Sequence, residues 1–135
     1  MSPHGGMPRW LELAHPALVH FPIAFAFLEL ALLALWAARR DPAFDRFARI
    51  SFRMGYAFML LALLSGFVSA GGWGHVGGRT GPHFKAALAV WGFYSVRGLY
   101  SRTGKNGVGI RLAGALAGNL LVGWAGYLGG KLVYS

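Results

Sequence analysis

Four long apolar stretches, separated by short polar segments, make up most of this 135-residue chain. They cover approximately residues 17–38, 54–72, 83–100 and 112–130. Each has about 18–22 residues, enough for a helix with a rise of ~1.5 Å per residue to span a hydrocarbon core of ~30 Å. Because a spanning segment must satisfy its own backbone, and the alternating strands of a barrel are not seen, the pattern predicts four transmembrane helices.

Composition agrees with this pattern. Hydrophobic residues are 56% of the chain and charged residues 13%, whereas an ordinary soluble domain has about 25% charged residues. The predicted fold class is therefore an all-α integral membrane four-helix bundle, with residues 1–135 forming a single membrane domain. Such a bundle has little surface outside the lipid bilayer for a soluble substrate, so we do not expect a stand-alone enzyme.

The net charge of +9 predicts an orientation rather than a nucleic-acid partner, because no soluble basic domain is available to bind nucleic acid. Nine basic residues fall in or beside the first and third loops, and four fall on the opposite side. The positive-inside rule then places both termini outside and the first and third loops in the cytoplasm. In a bacterium this predicts an inner-membrane protein with both termini on the periplasmic side. The nine residues are Arg39, Arg40, Arg46, Arg49, Arg53, Arg97, Arg102, Lys105 and Arg111.

All five histidines fall at the predicted outer end of the bundle. Two imidazoles on facing helices can ligate a b-type haem from both sides. The absence of cysteine excludes covalent c-type haem attachment and thiolate-bound clusters. We expect His20 and His83 to be the axial pair, because both lie at helix starts near the hydrocarbon edge. His15 and His75 are the second choices, and His4 precedes the first helix.

Other roles for these histidines remain open. Imidazoles also occur at membrane interfaces as hydrogen-bonding groups without a cofactor, and they can bind copper or zinc or handle protons. His15 and His20 are five residues apart, about 140° around an ideal helix, so they do not share one helical face. No compact metal-binding motif is present in the sequence.

Glu29 is a further candidate, because a carboxyl group within a membrane helix is costly and usually faces the bundle interior. A functional Glu29 would relay protons, contact a quinone or orient a ligand. The alternative is a protonated side chain bonded to Asn119 or to a backbone carbonyl. Arg97 is expected to extend to the nearby membrane surface. On the fourth helix, Gly114, Gly118, Gly126 and Gly130 form small-xxx-small pairs that predict close packing against a neighbour, within the chain or in another subunit.

Two segments resemble the motifs of domain-of-unknown-function family 2231 (DUF2231), a bacterial family of predicted membrane proteins. The opening segment is HPALVHFPIA over 15–24, and the closing segment is GYLGGKLVY over 126–134. The similarity covers essentially the whole chain and implies the same four-helix architecture. Because members of the family can be joined to Rieske-type iron–sulfur domains, the resemblance implies a redox membrane complex.

These observations predict a small membrane subunit of an electron-transfer complex, with a b-type haem near the periplasmic side. The alternative is a cofactor-free accessory subunit that packs against a larger respiratory or photosynthetic complex. Both hypotheses have the lipid bilayer and other membrane-protein subunits as partners.

Overall fold

The chain folds into four helices, and the computed structural model describes residues 9–69, 81–104 and 107–134. No strand occurs in these residues, so the predicted all-α class is confirmed. The helices are α1 (Arg9–Arg39), α2 (Pro42–Ser69), α3 (Gly81–Ser101) and α4 (Val108–Tyr134).

The four helices pack as a ring in which α1 contacts α2 and α4, and α3 contacts α4 and α2. Many of the buried side chains are small, which lets helix backbones approach closely, as is typical of membrane bundles. One buried cluster contains Leu33, Ala48 and Ala115; the other contains Ala26, Met59, Val90, Tyr94 and Val122.

A two-residue connection joins α1 to α2. Arg40 has a left-handed backbone (φ 57°), and its N–H donates to the carbonyl oxygen of Trp36 at 2.8 Å. Asp41 then caps α2, because its Oδ1 accepts the N–H of Ala43 at 2.9 Å. Pro42 opens the helix, as is common at the first helical position.

The helices extend beyond the apolar stretches that predicted them, and the predicted end of the second stretch at residue 72 lies outside the described residues. Helix α1 begins at Arg9 rather than near residue 17, and α2 begins at Pro42 rather than near residue 54. The basic residues at the start of α2 resemble a loop in hydropathy, yet Ala48 and Ser51 lie among them and are buried. The start of α2 is therefore an amphipathic continuation of the membrane helix.

Three of the described helices are long and apolar enough to cross a membrane, over Ala17–Arg39, Pro42–Val68 and Val108–Lys131. The 21 residues of α3 would reach ~31 Å at the usual helical rise. Its mean hydropathy is lowered by polar side chains that include Lys85 and Arg97. The crossing by α3, and with it the side on which each terminus lies, stays a prediction.

Candidate functional site

A buried ion pair connects α1 to α3 inside the bundle. The guanidinium nitrogens of Arg97 donate to the two carboxylate oxygens of Glu29 at 3.1 and 2.9 Å. Glu29 is 2% exposed, and the side chain of Arg97 is 14% exposed. A bidentate pair of this kind supplies orientation as well as energy. It satisfies the expectation that a charge within a membrane segment finds a partner in the protein interior.

This geometry corrects two predictions. The partner of Glu29 is Arg97, and Asn119 instead donates from its Nδ2 to the carbonyl oxygens of Ala26 at 3.0 Å and Ala115 at 2.8 Å. Arg97 does not extend to the membrane surface but turns inward, because a carboxylate with two suitably spaced oxygens is available there. The Glu29–Arg97 pair thus joins α1 to α3, and the Asn119 side chain joins α4 to α1.

Aromatic rings and a glycine hold the Arg97 guanidinium in place. Its Cζ lies 5.0 Å from the ring centroid of Phe52 and 5.3 Å from that of Tyr94, both within cation–π range. On the α4 side, a Cβ atom added at Gly114 would lie 2.9 Å from the Nε of Arg97. Gly114 therefore leaves the space that the arginine side chain occupies.

Tyr94 packs against α4 in the same way, one helical turn from Arg97. It is 2% exposed, and a Cβ added at Gly118 would lie 2.6 Å from its hydroxyl oxygen. Within the described residues, the Tyr94 hydroxyl and the indole N–H of Trp91 are buried without a hydrogen-bond partner. The polar interior thus extends from the ion pair towards the middle of α3.

The two small-xxx-small pairs of α4 do not form one packing surface. Gly114 and Gly118 face side chains of α3, whereas a Cβ added at Gly126 or Gly130 would meet nothing within 4 Å among the described residues. Twelve residues separate Gly114 from Gly126, about 120° around a helix, so the two pairs point in different directions. The first pair packs within the chain, whereas the second pair contacts no residue that the structure describes.

A second ionic centre lies where α2 and α4 begin. The carboxylate of Asp45 accepts from Arg111 and pairs with Arg49 at 3.3 Å. The guanidinium of Arg111 also lies 5.1 Å from the ring centroid of Trp36. Asp45 is not among the residues that the sequence pattern singles out. Its partner Arg111 lies 66 residues further along the chain, so sequence spacing alone carries no signal of this contact.

His83 lies in the seam between α3 and α4 at the other end of α3. The carbonyl oxygen of Ala125 accepts a hydrogen bond from its Nδ1–H at 3.1 Å. A Cβ added at Gly129 would lie 2.9 Å from the ring, so this glycine makes room for the imidazole. Because a carbonyl only accepts, the contact places a proton on Nδ1, and a neutral ring then has its lone pair on Nε2.

His20 lies on the exposed side of α1. Nine residues, two and a half turns of an ideal helix, separate it from Glu29, so the two side chains leave α1 on opposite sides. The Asn119–Ala26 hydrogen bond marks a common level of α1 and α4, from which the positions of His20 and His83 along the bundle axis can be compared. His83 is placed on α4 by its hydrogen bond to Ala125. His20 is six residues from Ala26, and Ala125 is six residues from Asn119 on the antiparallel α4, each ~9 Å along its axis.

His20 and His83 therefore share a depth, but the structure does not direct the His20 ring into the seam that holds His83. The backbone of His15 belongs to α1, whereas its side chain, His75 and His4 lie outside the described residues. No group of three or more histidine, cysteine, aspartate or glutamate side chains that could hold a metal ion occurs in the part of the chain that the structure describes. Within the described residues, His83 is an imidazole whose orientation is set by a hydrogen bond to Ala125.

The family model described as a predicted membrane protein (DUF2231) matches residues 13–135, which is most of the chain. No curated protein and no solved structure matches the sequence.

Proposed function

Because this chain belongs to the DUF2231 family of predicted membrane proteins, we propose that it is a small membrane subunit of an electron-transfer complex in a bacterial inner membrane. A b-type haem would be held at the histidine end of the bundle, and its iron would exchange single electrons. His83 and His20 are the proposed axial ligands, with His15 and His75 as second choices.

The observation that carries this proposal is the environment of His83. Histidines that bind metals commonly donate their other ring N–H to a carbonyl or carboxylate, which sets the tautomer and the ring orientation. His83 has this arrangement, because its Nδ1–H donates to the carbonyl oxygen of Ala125. Gly129 supports the same orientation by leaving room for the ring.

The exposed position of His20 supports a subunit rather than a self-contained cytochrome. A ligand on the outer side of α1 is accessible to a cofactor that lies between this chain and a neighbouring subunit. The chain itself has little mass outside the bilayer to bind a soluble redox partner. The proposed electron donor or acceptor is therefore another membrane subunit.

The reduced-minus-oxidised absorption spectrum tests the proposal. The chain, purified in mild detergent from cells supplied with haem, should show the α-band of a b-type haem. His83→Ala should remove the band, and Arg46→Gln at the opposite end of the bundle should leave it unchanged. A wild-type spectrum without the band contradicts haem binding. A band retained in His83→Ala but lost in His20→Ala excludes His83 as the ligand.

A cofactor-free accessory subunit is the second candidate. It is favoured by the open side of α4, where a Cβ added at Gly123 or Gly126 meets nothing within 4 Å among the described residues. Small residues of this kind let another membrane helix approach closely. Gly126→Leu should then release the chain from a larger assembly on a native gel of solubilised membranes. Gly92→Leu is the control, because it also enlarges an open position, but on α3.

A further inference from the structure

A cavity of about 370 Å³ opens between α2, α3 and α4 at the end of the bundle opposite His83. It begins at the Glu29–Arg97 pair and extends to the last turn of α3 and the first turn of α4. Its volume lies within the range of ~300–1,000 Å³ that is usual for ligand pockets. Its walls combine guanidinium groups with apolar side chains, including Arg49, Arg53, Arg97, Arg111, Phe52 and Phe93.

The cavity has more positive than negative charge. Its four arginines face Glu29, which pairs with Arg97, and Asp45, which pairs with both Arg49 and Arg111. Arg53 makes no ion pair within the described residues. The four arginines and two carboxylates in or beside the cavity therefore carry a net charge of +2, and Arg53 is the arginine without a carboxylate partner among the described residues.

Two of the guanidinium groups are held in position before any ligand arrives. The side chains of Arg97 and Arg111 are 14% and 10% exposed, and they lie over the rings of Phe52 and Trp36, respectively. Such immobilised guanidinium groups need lose little conformational freedom when they bind an anion. Arginine is suited to phosphate in particular, because its planar fork donates two parallel hydrogen bonds. The fork of Arg97 already donates to Glu29, so Arg53, which makes no ion pair within the described residues, is the arginine that can offer its fork to an anion.

The cavity is accessible from the side of the bundle. Val96 and Ile110 belong to its lining, yet they are 65% and 53% exposed, so an apolar rim lies next to the charged interior. Basic pockets between membrane helices bind the head groups of anionic lipids. We propose that this cavity binds the phosphate head group of an anionic phospholipid, with the acyl chains lying against the apolar rim.

Native mass spectrometry of the full chain tests this inference. The protein, released from detergent with an equimolar mixture of phosphatidylglycerol and phosphatidylcholine, should retain phosphatidylglycerol preferentially. Arg53→Gln should lower that preference about fivefold, the usual contribution of one basic residue near anionic lipid, and Arg53→Glu should lower it further. Arg46→Gln is the matched control, because it removes the same charge from the same end of α2 outside the cavity.

Each outcome decides the inference. A preference that falls equally in Arg46→Gln and Arg53→Gln indicates general attraction to surface charge and overturns the site. Equal retention of the two lipids by the wild-type chain also overturns it.

Added inorganic phosphate distinguishes the source of the anion. Displacement of phosphatidylglycerol at low phosphate concentration would assign the cavity to free phosphate, whereas a lipid site should retain its lipid. Circular dichroism melting should show that every variant remains folded.

Discussion

Glu29 and Arg97 each bring a charged group into the bundle interior, where either group alone would be costly. Together they form a bidentate pair with aromatic rings on one side and Gly114 on the other. Removing one partner of a buried pair leaves the other charge uncompensated, which costs far more than the pair itself contributes. At the residue scale, therefore, the pair matters mainly because each member requires the other.

Glu29→Gln should destabilise the bundle by about 3–5 kcal/mol, because it leaves the Arg97 guanidinium buried without a counter-charge. Adding Arg97→Met should recover much of that loss, since it removes the unpaired charge and retains an apolar stem. The free energy of unfolding in mixed micelles measures both effects. A Glu29→Gln chain as stable as wild type, or a double variant less stable than the single one, would contradict the ionised pair.

At the scale of the helix, α4 has one side that packs within the chain and another side on which glycines meet no described residue. Gly118 faces the hydroxyl of Tyr94, whereas Gly126 faces no described residue. The two positions therefore test the same substitution in opposite environments.

Gly118→Ala should destabilise the bundle by about 1–3 kcal/mol, because the new methyl group would overpack against a buried ring. Gly126→Ala should be neutral or slightly stabilising, since alanine is the better helix former and no described atom opposes it. Thermal unfolding of the two variants, side by side in one detergent, measures the difference. Equal stability of the two would mean that α4 does not pack on α3 through Gly118.

Sequence analysis predicted the elements better than the contacts between them. Four apolar stretches give four helices, because hydropathy is a property of each segment alone. The start of α2 was missed because its exposed arginines conceal the buried positions at Ala48 and Ser51. The partner of Glu29 was missed for a different reason. Both Asn119 and Arg97 could reach it in principle, and only the relative register of three helices selects Arg97.

At the scale of the whole molecule, the bundle has two chemically different ends. His83 lies at one end of α3, and Arg97 lies 14 residues further along it, ~21 Å at the helical rise. The proposed haem and the proposed lipid head group would thus lie near opposite surfaces of the membrane. This arrangement requires α3 to cross the bilayer. Because of its polar side chains, α3 is not among the three helices that are apolar enough to cross by composition.

The number of crossings determines whether the two ends of the chain share a side of the membrane. If α3 crosses, Trp10→Cys and Lys131→Cys should both react with an impermeant maleimide added outside the cells. Thr103→Cys should react only after permeabilisation, as the basic third loop predicts. The chain contains no cysteine, so the introduced cysteine is the one thiol in each variant that the maleimide can label. Labelling of only one of the two terminal positions from outside would mean three crossings, and the histidine and arginine ends would then not face opposite compartments.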